Sequence, residues 1–227
     1  MNKLFAFAAT AVLGAALLIS GCGSSTNNES SSSSKPEVLK VAANPVPHAE
    51  ILEQVKPILA KEGVDLQIIE FTDYIQPNMA LSSHEVDANF FANVPYQNNY
   101  NKDHGTNFVS FAPVHIEPLA IYSQKIKDLK DLPNGAKVAI PSDPTNSARA
   151  LLLLQSAGLV TLKDPTGLTN TPFNITSNPK NIQITELEAA QIPRSIQDLD
   201  AAVINANYAL PAGLNPTKDG LFVEKAD

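Results

Sequence analysis

The chain has 227 residues, 44% hydrophobic and 17% charged, with 16 Lys and Arg against 23 Asp and Glu and a formal net charge of −7. That length accommodates one large domain or two small lobes with a real core, and the acidic balance with no basic block argues against nucleic acid as a partner. Cys22 is the only cysteine, which excludes an internal disulfide and CxxC zinc sites, and His48, His84, His104 and His115 are scattered without an HExxH or i,i+4 pair, so no metal site is read.

Residues 1–22 read as a targeting segment. Lys3 supplies a positive start and Leu4–Ile19 is an apolar run shorter than a usual membrane span. The run ends Leu18-Ile19-Ser20-Gly21-Cys22, which resembles a bacterial lipobox and makes Cys22 the candidate lipidation site. Residues 23–36 are a Ser/Asn-rich stretch with nothing to bury, read as a disordered tether.

The folded part starts near Glu37. Val38–Ala43 is a first strand. His48–Glu62 carries Ile51, Leu52, Val55, Ile58 and Leu59 on one helical face, with a kink or early fray expected at Pro57 and a stop at Gly63. Leu66–Phe71 is a second strand, completing a β-α-β unit with the default right-handed crossover. Thr72–Ser83 reads as a loop and short helix, Val86–Phe91 as a third strand, Pro95–Lys102 as a helix and Asn107–Phe111 as a fourth strand. The polar-poor segment Val114–Tyr122 follows, then a short amphipathic turn at Ile126–Leu132.

Ile140 to Gly158 is the most informative stretch. Residues 137–140 form a strand, Pro141 and Pro144 interrupt pairing, Thr145 or Asn146 caps a helix over 146–157, and Gly158 ends it. Asn146 and Arg149 lie three apart near the helix N-terminus, so free N–H groups, the helix dipole and a guanidinium converge. That combination suits a carboxylate or a phosphate. Beyond it, Asn181–Glu186 is a strand, Ala189–Leu199 a helix, Asp200–Asn205 a buried strand and Asn207–Ala212 a helical turn. The charged residues up to Asp227 carry no expected closing element.

Alternating strands and helices indicate an α/β protein with mostly parallel sheets. Ligands then sit beyond the carboxyl ends of strands, where this chain places Tyr74, Phe91, Asn93, Asn146, Arg149 and Asn205. They come from both halves of the chain, as a cleft between two lobes needs. No nucleophile–base pair accompanies them: Ser142 and Asp143 have no histidine at a motif spacing, and Glu186 and Glu188 read as a solvated strand edge.

The segments FTDYIQPNMAL at 71–81, DANFF and VPY within 87–96, PLAIYSQKIKDLKDLPNGAKVAIPSDPTNSARALLLLQSAGL at 118–159, NPKNIQITELEAAQIPRS at 178–195 and AAVINANYA at 201–209 resemble the NlpA/MetQ lipoprotein family, over about residues 37–227. That family supplies the substrate-binding component of methionine ABC importers. The resemblance implies a type II periplasmic-binding-protein-like fold, with lobe one over 37–117 and lobe two over 118–227. It implies that Arg149 holds an amino-acid carboxylate, helped by Asn146 and Asn205, and that Tyr74, Phe91 and Tyr96 form an aromatic pocket suited to a thioether. It further implies a non-enzymatic protein without cofactors, lipid-anchored on the extracytoplasmic face of the cell membrane, with methionine or a close derivative and an ABC permease as partners. The chain departs from the family at Asn93, where histidine is frequent. It also lacks the family's second crossing strand and the helices after it, so lobe one is expected to lack its C-terminal return segment and to leave apolar surface uncovered. The competing readings are an enzyme on the same fold and a shortened lipoprotein that has lost its ligand, or one that only makes surface contacts.

Overall fold

The computed structural model describes residues 35–225; Cys22 and the Ser-rich stretch before residue 35 lie outside them. Two main sheets are built in chain order. The first has the order β2-β1-β3, from β1 (Glu37–Ala43), β2 (Val64–Glu70) and β3 (Ala88–Phe90), all parallel. The second has the order β10-β4-β9-β5-β8, from β4 (Leu119–Tyr122), β5 (Lys137–Pro141), β8 (Gln183–Leu187), β9 (Ala201–Asn205) and β10 (Phe222–Val223). Within it β5 runs parallel to β8 and β9, while β4 is antiparallel to β9 and β10. A small antiparallel pair, β6 (Thr161–Leu162) and β7 (Ile175–Ser177), stands apart.

The helix α1 (Glu50–Lys61) connects β1 to β2, α2 (Gln76–Ser82) precedes β3, and α3 (Val94–His104) follows it. In the second half α4 (Pro144–Ser156) is the principal helix, joined by the short α5 (Ile192–Ser195), α6 (Ala206–Ala209) and α7 (Pro216–Asp219). The core centres on α4. Ala150, Leu151 and Leu154 are fully buried against Leu119 and Ile121 of β4, Val138 and Ile140 of β5, and Val203 of β9. A Leu side chain buried this completely stabilises the fold by about 1.5–3 kcal/mol relative to exposure. Every residue of β9 is buried, as expected of a strand covered on both faces.

The first sheet is less well covered. α1 buries no residue completely, and Ile58 and Met79 are more than half exposed. Pro57 does not end α1, which continues to Lys61. Pro57 and Glu53 both lie on the exposed face, so the carbonyl that proline leaves unpaired is open to water. Gly63 and Gly158 end α1 and α4 as expected, at φ +83° and +74°.

Several expected elements differ. Asn107–Phe111 forms no strand, and residues 106–118 carry no regular structure. Instead Asn101 holds the start of that segment, its Oδ1 accepting from the Phe108 N–H at 3.0 Å and its Nδ2 donating to the Phe108 carbonyl at 2.8 Å. A side chain thus satisfies the groups that a neighbouring strand would have paired. The α4 helix begins earlier than expected. Pro144, with a fixed φ and no N–H to leave unpaired, takes the first helical position, and Asp143 rather than Thr145 or Asn146 is the cap. The helix expected over Ala189–Leu199 breaks into three short turns, Ala189–Gln191, Ile192–Ser195 and Ile196–Asp198. Pro193 cannot donate to the Ala189 carbonyl, so a continuous α-helix loses its ladder there. Finally, the segment after residue 212, expected to lack a closing element, forms α7 and then β10, which pairs Phe222 with Ile121 and Val223 with Ala120.

Candidate functional site

The polar half of the site is built by the cap of α4 and the end of β9. Asp143 Oδ1 accepts the Asn146 N–H at 2.9 Å, and Asn146 Nδ2 donates to both Asp143 oxygens at 3.0 Å. Asn146 Oδ1 in turn accepts from Arg149 Nη1 at 3.1 Å and from Asn205 Nδ2 at 2.9 Å. Asn146 is 2% exposed, so one side chain joins an acid, a guanidinium and a second amide inside the protein. Burial pushes the Asp143 carboxyl above its usual range, against the pull of the Asn146 hydrogen bonds and the Arg149 charge.

Arg149 is further held by Glu224 of the segment after β10, with Nε donating to Oε1 at 3.2 Å and Nη2 to Oε2 at 2.6 Å. Nη2 also donates to the Glu117 carbonyl at 3.2 Å. The Glu117 carboxylate meets two histidines, His48 Nε2 at 2.9 Å and His115 Nε2 at 2.5 Å. Burial opposes ionisation of Glu117, but the hydrogen bonds and charges of His48 and His115 outweigh it and hold the carboxyl below its usual range. These three are the group among the described residues with ligand atoms close enough to share a metal ion. The fold therefore unites two histidines that the sequence shows as scattered. Both Nε2 atoms are engaged with one carboxylate oxygen, which makes the group a hydrogen-bonded network as it stands.

The aromatic half comes from the first sheet. Tyr74 follows β2, Phe91 follows β3, and Tyr96 lies in the first turn of α3. The Tyr74 ring stacks on Phe91 at 5.9 Å between centroids and meets Tyr96 edge-on at 5.9 Å. It also packs against Tyr208 of α6 at 5.0 Å, and its hydroxyl donates to Asn207 Oδ1 at 2.6 Å. Burial raises the hydroxyl pKa values of Tyr74, Tyr96 and Tyr208 well above the ordinary tyrosine range, so all three remain neutral donors. Among the described residues, the buried side-chain atoms without a hydrogen-bond partner include Asn205 Oδ1, Asn207 Nδ2 and the Tyr208 hydroxyl. One amide oxygen and two donors are thus available where the two halves meet.

The structure therefore groups Tyr74, Phe91 and Tyr96 in one ring cluster, and Asn146, Arg149 and Asn205 in one polar network. Asn93 stands apart. It is exposed, and its Oδ1 accepts the Tyr96 N–H at 2.9 Å as the cap of α3. The aromatic rings pack on one another, and a cavity of about 560 Å³ opens elsewhere, between α3 and α4, lined by Asn98, Lys102, Thr145, Ser147 and Glu186 and by none of the candidate binding residues. Sequence reasoning missed Asn207, Tyr208, Glu117 and Glu224. Asn207 and Tyr208 are the second and third residues after the buried strand, a position that could have marked them. Nothing local marks Glu117 or Glu224, whose partners are distant in sequence.

Three comparisons place the chain among known proteins. The family model described as NlpA lipoprotein matches residues 39–227. The D-methionine-binding lipoprotein MetQ of Salmonella typhimurium is 43% identical over 229 residues, covering 99% of this chain and 82% of that protein. The crystal structure of lipoprotein Tp32 from Treponema pallidum superposes with a TM-score of 0.82 at 41% identity, over 85% of this chain and 80% of that one. A nutrient-binding protein from Burkholderia cenocepacia, solved bound to methionine, gives 0.80 at 48% identity, over 83% of this chain and 80% of that one. With the family model covering most of its length and relatives this similar, the chain belongs to the NlpA lipoprotein family.

Proposed function

We propose that this protein is the substrate-binding lipoprotein of an ABC importer, that it takes methionine or a close derivative between its two halves, and that it catalyses no reaction. The two sheets are the cores of two lobes, residues 37–117 and 118–227, and the ligand lies where their strand ends face each other. The observation that carries the reading is the pairing of chemistries at that junction. An amide oxygen of Asn205 suits an ammonium group, while Arg149 and the Asn207 amide suit a carboxylate. The rings of Tyr74, Phe91, Tyr96 and Tyr208 suit an unbranched thioether. The ring cluster would part to admit the side chain, and closing of the lobes would bury it. Relatives named as D-methionine-binding lipoproteins, and one structure solved with methionine, support the same ligand class. Lipidation at Cys22 would hold the protein at the extracytoplasmic face of the membrane; among the described residues no helix is long and apolar enough to cross one.

The test is a thermal-shift and titration panel on the full chain with L- and D-methionine, methionine sulfoxide, glycyl-methionine and phosphate. A methionine-type ligand is expected to raise the Tm, and Arg149→Ala to remove that effect, since an unpaired buried carboxylate costs about 3–5 kcal/mol. Binding of Arg149→Ala within tenfold of the parent, or a response to phosphate alone, would reject the assignment.

A further inference from the structure

A guanidinium has five N–H groups, and Arg149 commits four of them within the chain. Nε and one Nη2 hydrogen go to Glu224, the other Nη2 hydrogen to the Glu117 carbonyl, and one Nη1 hydrogen to Asn146. A single Nη1 hydrogen is left, on the nitrogen that donates to Asn146, whose Oδ1 also accepts from Asn205. Glu224 is itself fixed. Its backbone N–H donates to the Leu119 carbonyl at 2.8 Å, its Oε2 accepts the Leu119 N–H at 3.0 Å, and the two residues immediately before it, Phe222 and Val223, pair with β4. Leu119 is fully buried, so moving the carboxylate away would strand its N–H.

We propose that Glu224 is the positioning residue for Arg149. It grips the Nε–Nη2 edge against β4 and turns the remaining Nη1 hydrogen toward the side where a ligand carboxylate is met. This rests on the reading that Arg149 binds that carboxylate. It also sets specificity. The Arg149–Glu224 pair is charge-compensated, so the subsite presents a directed donor rather than a free positive charge, which suits a zwitterion of zero net charge and disfavours a dianion. The same contact could be taken for an internal competitor that blocks the arginine. Against that, Glu224 occupies the edge opposite Asn146, and its second oxygen serves Leu119.

The experiment compares methionine with methioninamide, which lacks the carboxylate, by calorimetric titration of the full chain and its Glu224→Gln and Glu224→Asp variants. Glu224→Gln is expected to weaken methionine binding about tenfold or more and methioninamide binding by less than about threefold, with Glu224→Asp recovering part of the loss. Equal losses for both ligands would reduce Glu224 to a structural role, and tighter methionine binding would make it a competitor; either overturns the proposal. A parent protein with no preference for methionine over methioninamide would overturn the site reading itself, and this inference with it. A second measurement needs no variant at Glu224. The Arg149 Nε–H resonance, identified by its disappearance in Arg149→Lys, should be slow to exchange and should persist when methionine saturates the protein. Its loss on saturation would mean that the ligand displaces Glu224, which also refutes the proposal.

Discussion

Replacing Asn146 with alanine tests the network on which the polar half of the site depends. The change strands Asn205 Nδ2, since Asn205 is 8% exposed and Asn146 Oδ1 is its acceptor. It removes one of Arg149's four internal hydrogen bonds. It also takes from Asp143 both side-chain hydrogen bonds, leaving only the backbone N–H of residue 146. An orphaned buried amide costs about 1–3 kcal/mol and a lost bond to a charged group somewhat more than a neutral one, so the sum is about 2–4 kcal/mol. For a domain of this size that lowers Tm by about 4–16 °C. Urea unfolding should show a lower midpoint with an unchanged slope, and methionine affinity should fall with it. Asn146→Asp is the informative control. It keeps the acceptor for Arg149 and Asn205 but puts a second carboxylate against Asp143, so its deficit should be largest at neutral pH and shrink on acidification. A loss below about 0.5 kcal/mol for Asn146→Ala, with binding intact, would show that the surroundings or water replace these bonds and that the network is not the organising feature argued above.

Acid titration should separate Glu117 from Asp143. Glu117 has a lowered carboxyl pKa, so its contribution to stability is present above its ordinary value and is lost as pH falls through the folded-state value; Glu117→Gln should therefore cost more at about pH 7 than at about pH 4 in parallel urea melts. Asp143 has the opposite sign: its raised folded-state pKa favours the fold at low pH, and that contribution is lost as pH rises through it, so Asp143→Asn should be better tolerated at about pH 7 than at about pH 4. Leu151→Ala, at a fully buried position under the second sheet, should cost about 2–5 kcal/mol by chemical denaturation, with a smaller value meaning that the core collapses into the space. Tyr74→Phe removes the 2.6 Å bond to Asn207 while keeping the ring, and should cost about 1 kcal/mol with ligand binding weakened less than by Tyr74→Ala.

What could be read from the sequence follows from how local each signal is. The α4 region was legible because its leucine run and terminal glycine act within one turn of where they stand; its start moved from residue 146 to Pro144, since Asp143-Pro144 starts a helix more effectively than Thr145 or Asn146, and Pro141, expected to interrupt pairing, instead pairs with Leu187 as the last residue of β5. The apolar runs of β5 and β9 were legible because strands covered on both faces need no alternation. Asn107–Phe111 was misleading for the same reason: its residues have strand character, but a strand needs a neighbour, and Asn101 supplies the hydrogen bonds instead. At the site, Tyr74, Phe91, Asn146, Arg149 and Asn205 could be found from their place after strands. Asn93 could be located but not its capping role. Glu117 and Glu224 could not be recognised, because they acquire their meaning from Arg149, His48 and His115, which reach them only through tertiary structure.

The irregular passage over residues 106–118 has a further consequence. It is the connection from the first sheet to the second, and Val109, Phe111, Val114 and Ile116 along it are more than half exposed. A protease with a preference for aromatic residues should cut there, at Phe111, without removing any residue of the aromatic cluster or the α4 network. After such a cut the described parts of the two fragments would be joined by side-chain contacts such as Tyr74 with Asn207 and Tyr208, and His48 with Glu117. Holding them together would then fall to the site itself, and whether they co-elute would depend on the concentration of whatever occupies it.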